Sequence, residues 1–167
     1  MRISQPISRL YKPKIAYNKF MNNNEIILPI LRKISIFENL NDADHGEIIE
    51  HIKLEYFPSN HLLFSEGDSG DRLYIIKKGA VKIFHPEDEE NAVAMLGPND
   101  FFGEMALVED QPRTASAITR DESEVFLLEK SDFYDLILKN EDMARKISEE
   151  FLARVQENQR SKGPLTG

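Results

Sequence analysis

The sequence predicts a mainly β protein with flanking helices: a β jelly roll (double-stranded β-helix) with N-terminal helices and two C-terminal helices. Three observations predict it. Short runs rich in β-branched and aromatic residues follow one another from Leu54 to Glu129. Glycine-, proline- and asparagine-bearing turn signals cut them at regular intervals, the pattern of a sandwich or barrel for which a jelly roll is the natural candidate. Helix-periodic sequence lies on both sides.

Taken in order, residues 1–24 carry Arg2, Arg9, Lys12, Lys14 and Lys19 and no acid, with Pro6, Pro13 and a closing Asn22-Asn23-Asn24. This reads as a flexible or loosely docked basic arm, with residues 25–167 as the domain. Three readings of the arm stand side by side. It is an organelle transit peptide whose prolines break the usual helix, an extension ahead of a true start at Met21, or a basic patch for a partner or an anionic membrane. Glu25 to Lys33 then places Ile26, Ile27, Ile30 and Leu31 at amphipathic spacing, and Pro29 either fits the first turn or breaks it. After Ile34-Ser35-Ile36-Phe37, Asn41 is the expected N-cap of a helix, with Asp44 as a weaker capping-box partner. Ile48, Ile49 and Ile52 give that helix its apolar face. His45 lies on the same stripe and His51 beside it. With no second ligand at metal spacing, both read as packing or surface histidines.

The predicted strands are Leu54–Phe57, His61–Phe64, Leu73–Lys77, Ala80–Phe84, Ala92–Leu96, Arg113–Thr119 and Glu124–Glu129. Between them stand Pro58-Ser59-Asn60, Gly67-Asp68-Ser69-Gly70-Asp71, Lys78-Gly79, the acidic Pro86-Glu87-Asp88-Glu89-Glu90 and Gly97-Pro98-Asn99-Asp100. The roll thus covers about 54–129, with the acidic run as a solvated hairpin tip. Helical periodicity returns over about 131–160. Ser131 is the expected cap of the first helix and Asn140 its stop. The second helix, from about Asp142 to Arg160, carries Met143, Ile147, Phe151 and Val155 on one face with Leu152 beside them. Glu141–Arg145, Asp142–Lys146 and Glu150–Arg154 are spaced as i,i+4 ion pairs.

Composition bounds the function. The chain has 167 residues, 41% hydrophobic and 30% charged, which suits a soluble globular domain with a real core. It has no cysteine, which excludes disulfides and thiolate catalysis and agrees with a cytoplasmic protein. No apolar run is long enough to span a membrane. The net charge is −8; setting the basic arm aside leaves 16 basic residues against 29 acidic ones. So acidic a body repels nucleic acid, so no nucleic-acid partner is expected. A cation that binds an anionic ligand here works against the surrounding field.

One stretch concentrates the chemistry: Phe101-Phe102-Gly103-Glu104-Met105-Ala106-Leu107-Val108-Glu109-Asp110-Gln111-Pro112-Arg113-Thr114-Ala115-Ser116. Gly103 admits close approach to the main chain and begins a helical turn through Leu107 whose N–H groups suit an anion. Glu104 offers a carboxylate for two hydroxyls, as on a ribose. Arg113 offers a planar donor fork for phosphate oxygens. Thr114 adds a hydroxyl, and Ala115 leaves the backbone open. As isolated residues, Glu104 and Arg113 read equally as a surface ion pair.

The complete run resembles the phosphate-binding cassette of the cyclic-nucleotide-binding domain family, found in catabolite-activator-type regulators, kinase regulatory subunits and cyclic-nucleotide-gated channels. The matching residues are Phe102-Gly103-Glu104-Met105-Ala106-Leu107 and Pro112-Arg113-Thr114-Ala115. Glu66-Gly67-Asp68, Leu73-Tyr74-Ile75-Ile76, Gly79 and Val81 resemble the family's glycine pattern, so the likeness covers roughly residues 34–160. It implies a non-catalytic sensor whose ligand is cyclic AMP or cyclic GMP, with cyclic AMP favoured and no cofactor. Arg113 would hold the cyclic phosphate and Glu104 the ribose 2′-hydroxyl. N–H groups from Gly103 to Ala106 and around Ala115 would complete the cradle. Thr114 bears on the choice of base, and counting on from Arg113 puts Asn158 at the polar lid position of the last helix. That helix would pass occupancy to an unidentified effector or a homodimer mate, its apolar face exchanging barrel wall or base for solvent or a second chain.

Other classes fit less well. A cupin-like metal enzyme needs clustered histidines, and His61 and His85 stand alone. Gly97 and Gly103 are one residue too far apart for a P-loop, with Glu104 where its lysine belongs. A DNA-reading activator needs a helix-turn-helix beyond the last helix, where only Ser161–Gly167 remains. A binder of another nucleotide such as cyclic di-GMP stays open.

Overall fold

The computed structural model describes residues 23–161; the side chains of Asn23, Arg154, Val155 and 157–161 fall outside that description. Residues 1–22 of the expected arm, Met21 among them, and the terminal Gly163-Pro164 therefore lie outside the described residues, while Asn23 and Asn24, expected in the arm, open the first helix. Helix α1 (Asn23–Leu31) leads through a 3-10 turn at Ser35–Phe37 to α2 (Asp42–Glu50). Eight strands follow: β1 (Lys53–Phe57), β2 (Leu62–Phe64), β3 (Arg72–Lys78), β4 (Val81–Phe84), β5 (Ala92–Leu96), β6 (Phe101–Phe102), β7 (Ser116–Thr119) and β8 (Ser123–Glu129). Helices α3 (Lys130–Lys139) and α4 (Glu141–Ser161) close the described chain. No helix among the described residues is long and apolar enough to cross a membrane.

The strands form two four-stranded sheets, β1-β8-β3-β6 and β2-β7-β4-β5, with every pairing antiparallel. The first is buried on both faces. Leu73, Ile75, Phe126 and Leu128 point to a core shared with the helices, while Tyr74, Ile76, Val125 and Leu127 point to the second sheet. That double burial is why β3 and β8 read in the sequence as unbroken apolar runs rather than alternating ones. In the helical core, Ile27, Ile30 and Leu31 of α1 and Ile48 and Ile49 of α2 pack with Phe133, Met143 and Ile147.

Several boundaries move, each for a physical reason. Pro29 neither begins nor breaks α1; it lies inside the helix on an exposed face, two residues before its end. A proline there donates no bond to the carbonyl four residues back, in the first turn, and the helix ends soon afterwards in i→i+3 bonds (Lys33 N–H to Ile30 O, 2.9 Å). Asn41 does cap α2, accepting from the Asp44 N–H at 2.8 Å. The Asp44 carboxylate turns away from the capping box to accept from Asn140 Nδ2 (3.2 Å) and to face Lys146 Nζ (3.5 Å). Ser131 does not cap α3. The N-cap is Glu129, without a side-chain bond, because the Lys130 N–H finds the Asp71 carbonyl of the neighbouring chain at 2.8 Å.

Asn140 follows α3 as its C-cap in extended conformation, and its Oδ1 accepts from Met143 N–H, capping α4. Of the two expected ion pairs whose side chains are both described, Asp142–Lys146 forms (2.8 Å), whereas Arg145 takes Asp142 and Glu149 instead of Glu141; Glu150 accepts from Asn39 Nδ2. The pair Glu150–Arg154 lies partly outside the described side chains. The predicted strand Arg113–Thr119 begins only at Ser116, since the Arg113 backbone bonds to the Gly67-Asp68 turn rather than to the β7 ladder. Strand β6, too short to show a period, was not expected.

Candidate functional site

The site is built where β6 ends. Phe102 pairs with Tyr74 in β3, and its ring stacks on that tyrosine at 4.7 Å between centroids and 2° between planes. The chain then turns at Gly103, with φ 76° and ψ 14°, into a 3-10 turn at Glu104–Leu107. Two facts make Gly103 a glycine. Its backbone is left-handed, and a Cβ would lie 2.6 Å from Arg113 Nη1 and 3.0 Å from the Arg72 carbonyl oxygen. Ala106 and Leu107, both buried, pin the turn to the core. Gly70 is a glycine for a reason as well: a Cβ there would meet the Ala106 Cβ at 2.8 Å, so the two segments touch.

The return segment is anchored at several points. Lys130 Nζ donates to the Glu109 carbonyl (3.1 Å) and to Asp110 Oδ1 (2.6 Å). Ser69 and Pro112 form an isolated bridge. The Arg113 N–H donates to the Asp68 carbonyl (2.7 Å), and its carbonyl accepts from the Gly67 N–H (2.8 Å). With backbone clamped on both sides, the Arg113 side chain is directed inward, where it is only 8% exposed.

That guanidinium has an unusual set of neighbours. Nη2 donates to the Arg72 carbonyl at 3.0 Å, and the nearest carboxylate oxygen in an ion pair, Asp71 Oδ1, stands 4.0 Å away. Nε is buried and has no hydrogen-bond partner within the protein. Burial pushes the Arg113 pKa down from its ordinary value, partly opposed by Tyr74 and Asp71. Tyr74 beneath it is pushed up to about 12 by its own burial. The result is a desolvated cation with an idle donor. Left unmatched, such a donor costs on the order of 1–3 kcal/mol.

A cavity of about 220 Å³ opens beside this group, lined by Gly103, Glu104, Met105, Ala106, Arg113 and Thr114 together with Glu109, Gln111 and Pro112. Of the residues singled out from sequence, these six come together on one wall. Phe102 and Ala115 do not line it; Phe102 lies behind, in the aromatic stack, and Ala115 is half-buried beside it. The side chain of Asn158 lies outside the described residues. The Ala106 N–H is spent inside the turn on the Gly103 carbonyl (3.2 Å), so this member of the expected N–H cradle is engaged.

Sequence reasoning missed Phe64 and Arg72, which come from strands β2 and β3, and Lys130, which comes from the start of α3, none with a local signal; it also passed over Gln111 inside the cassette loop. Glu104 also lines a second cleft, of about 430 Å³, with Lys33 and Glu38 of the N-terminal segment and Glu150 and Ala153 of α4. Among the described residues no three His, Asp or Glu side chains are grouped as metal ligands would be.

Comparison with known proteins gives a consistent result. A cAMP-activated global transcriptional regulator of the CRP-like type from Mycobacterium tuberculosis is 39% identical over 92 residues, 54% of this chain and 41% of that protein. A cGMP-dependent protein kinase of Plasmodium berghei is 38% identical over 109 residues, 65% of this chain and 12% of that protein. The chain therefore spans less than half the length of these relatives. Among solved structures, the N-terminal domain of a transcriptional regulator from Streptomyces coelicolor superposes with a TM-score of 0.72 at 27% identity, covering 82% of this chain and 97% of that one. The sequence profile of the cyclic nucleotide-binding domain matches residues 54–140, just over half of the chain and including the whole cassette. The chain belongs to the cyclic nucleotide-binding domain family.

Proposed function

We propose that this protein is a non-catalytic, cytoplasmic sensor of a cyclic purine nucleotide, with cyclic AMP favoured over cyclic GMP. The observation that carries the reading is the buried Arg113 guanidinium, whose Nε has no partner within the protein, on a residue that lines the cassette cavity. An equatorial phosphate oxygen supplies the acceptor that this donor lacks, in a charge-assisted bond. Glu104, on the same wall, is assigned the ribose 2′-hydroxyl, and Met105 and the backbone at Gly103 and Ala115 the rest of the sugar-phosphate contact. The strand order of the two sheets supports the jelly-roll reading of residues 54–129. Residues 25–167 are assigned to one domain and 1–24 to a basic arm.

The preference for cyclic AMP rests on likeness to the regulator named for it; Thr114, exposed at the cavity, is the residue that tests it. Coupling to α4 is supported by the cleft that Glu104 shares with Glu150 and Ala153. Met143 and Ile147 of the Met143–Ile147–Phe151–Val155 face are buried, packed with the N-terminal helical segment; Phe151 is half-buried, and the Val155 side chain lies outside the described residues. The proposed switch is a change in that packing, with Asn158 as the polar lid and an effector or second chain receiving the outer half. Calorimetric titration with cyclic AMP, cyclic GMP and cyclic di-GMP is the test. One-site binding of cyclic AMP, weaker cyclic GMP and no heat from cyclic di-GMP are expected, with amide exchange in α4 slowed by ligand more than in the strands. No binding of any of the three would overturn the reading, and unchanged exchange in α4 would remove the coupling.

A further inference from the structure

Arg113 is held in place without an ion pair in contact. Its Cζ lies 4.2 Å from the centroid of the Phe64 ring and 5.7 Å from that of Tyr74, whereas Asp71 Oδ1 is 4.0 Å from Nη2, at the edge of any ionic contact. The rings form one unit. Phe64 tilts against Tyr74 (5.6 Å) and Phe102 (6.1 Å), and Tyr74 stacks flat on Phe102. Phe64 belongs to β2 in one sheet, Tyr74 and Phe102 to β3 and β6 in the other, so the seat joins the two sheets directly below the cavity.

We infer that Phe64 is the positioning residue for the anion-binding arginine: its ring face carries the Arg113 guanidinium and takes up none of its N–H donors. The chemistry favours a ring over a carboxylate. An aromatic face stabilises a desolvated cation through its quadrupole and takes up no N–H donor. A carboxylate in the same place would fill the fork bidentately and cancel the charge that an incoming phosphate needs. The seat also explains why only arginine suits this position, since a planar group stacks on a ring and an ammonium does not. The inference rests on the reading that Arg113 receives the phosphate.

The test combines a ligand-free measurement with a double-mutant cycle. In the unliganded protein, the Arg113 Nε–H resonance, assigned by its loss in Arg113→Lys, should carry a ring-current shift. That shift should be lost in Phe64→Leu and kept in Phe64→Tyr. Phe64→Leu should weaken cyclic AMP binding about 10-fold, Phe64→Tyr less than about 2-fold, and Phe64→Leu should add nothing to Arg113→Ala. Phe64→Met, which keeps bulk without a ring, serves where the leucine variant does not fold, with the same loss expected.

A loss from Phe64→Leu that adds in full to that of Arg113→Ala, or a resonance that ignores the ring, overturns the inference and leaves Phe64 as packing. If Arg113→Ala leaves affinity unchanged, the phosphate reading fails, and the resonance still decides whether the seat exists.

Discussion

Two arginines in this molecule show opposite ways of using the same side chain. Arg113 in the cassette is 8% exposed, makes one carbonyl hydrogen bond and keeps its nearest ion-pair carboxylate at 4.0 Å. Arg145 on α4 is 60% exposed and meets Asp142 at 2.6 Å and Glu149 at 3.2 Å. The better-paired arginine is the less consequential one. Exposed ion pairs trade hydration for a contact of similar worth and are screened by salt. A buried guanidinium without an ion pair in contact recovers only part of its desolvation, here from the Phe64 ring and the Arg72 carbonyl, and keeps its charge available to an anion. The proposed binding residue is thus the one the described structure leaves less satisfied.

The comparison is sharpest at Arg113. Arg113→Ala should weaken cyclic nucleotide binding at least ~10-fold while leaving the unfolding midpoint unchanged or raised, because a charge-assisted bond to ligand is worth roughly 1.5–3 kcal/mol and the fold gains little from this cation. Arg113→Lys should not restore affinity. A midpoint that falls as steeply as the affinity would mean that the arginine is structural.

Gly103→Ala comes next. Left-handed backbone costs a residue with a Cβ about 1–2 kcal/mol, and the added carbon meets Arg113 Nη1 and the Arg72 carbonyl. Chemical denaturation should show that loss. It should shrink in the Gly103→Ala/Arg113→Ala pair, where one of the two contacts is gone, and an equal loss in both backgrounds would break the proposed contact.

At Arg145 the expected effect is nil: Arg145→Ala should shift neither the denaturant midpoint nor nucleotide affinity, at low or high salt. A clear loss would show that the α4 surface pairs matter more than their exposure implies.

A slight, pH-dependent effect belongs to His85, whose Nδ1 lies 2.9 Å from Glu66 Oε2. The hydrogen bond to Glu66 raises its pKa, so the protonated form is favoured in the fold. The stabilisation it gives is complete below about 6.5, the unfolded value, and disappears as pH rises through the raised folded value. Because the pair is exposed, the midpoint should fall only slightly from pH 6 to pH 8, and that slope should vanish in His85→Gln. A steeper slope, or one that persists in the variant, would assign the pH dependence to another group.

Much of this was open to sequence reading, because it is local chemistry. The cassette's residue types at their spacing imply anion and sugar recognition before any coordinate is known. The Asn41 cap needs only the Asp44 N–H three residues away, and β3 and β8 announce themselves as apolar runs. Other features depend on neighbours that sequence distance hides. Ser131 loses its capping role because the Asp71 carbonyl arrives from another strand, and Asn140 serves α4 as well as following α3. The stripe on α4 predicts burial but not its partner, since an apolar face fits any apolar surface; tertiary packing set it against the N-terminal helical segment.

The amino-acid order alone points to the family of the domain and to the arginine proposed for the centre of its site. Whether that arginine would be solvated, ion-paired or desolvated on a ring was decided only by the tertiary structure. A guanidinium's charge state and free donors depend on what the two sheets bring around it: the Arg72 carbonyl, the Phe64 and Tyr74 rings, and the close approach at Gly103. Those groups come from separate strands. Local order sets each one's chemistry, and long-range pairing sets the distance between them.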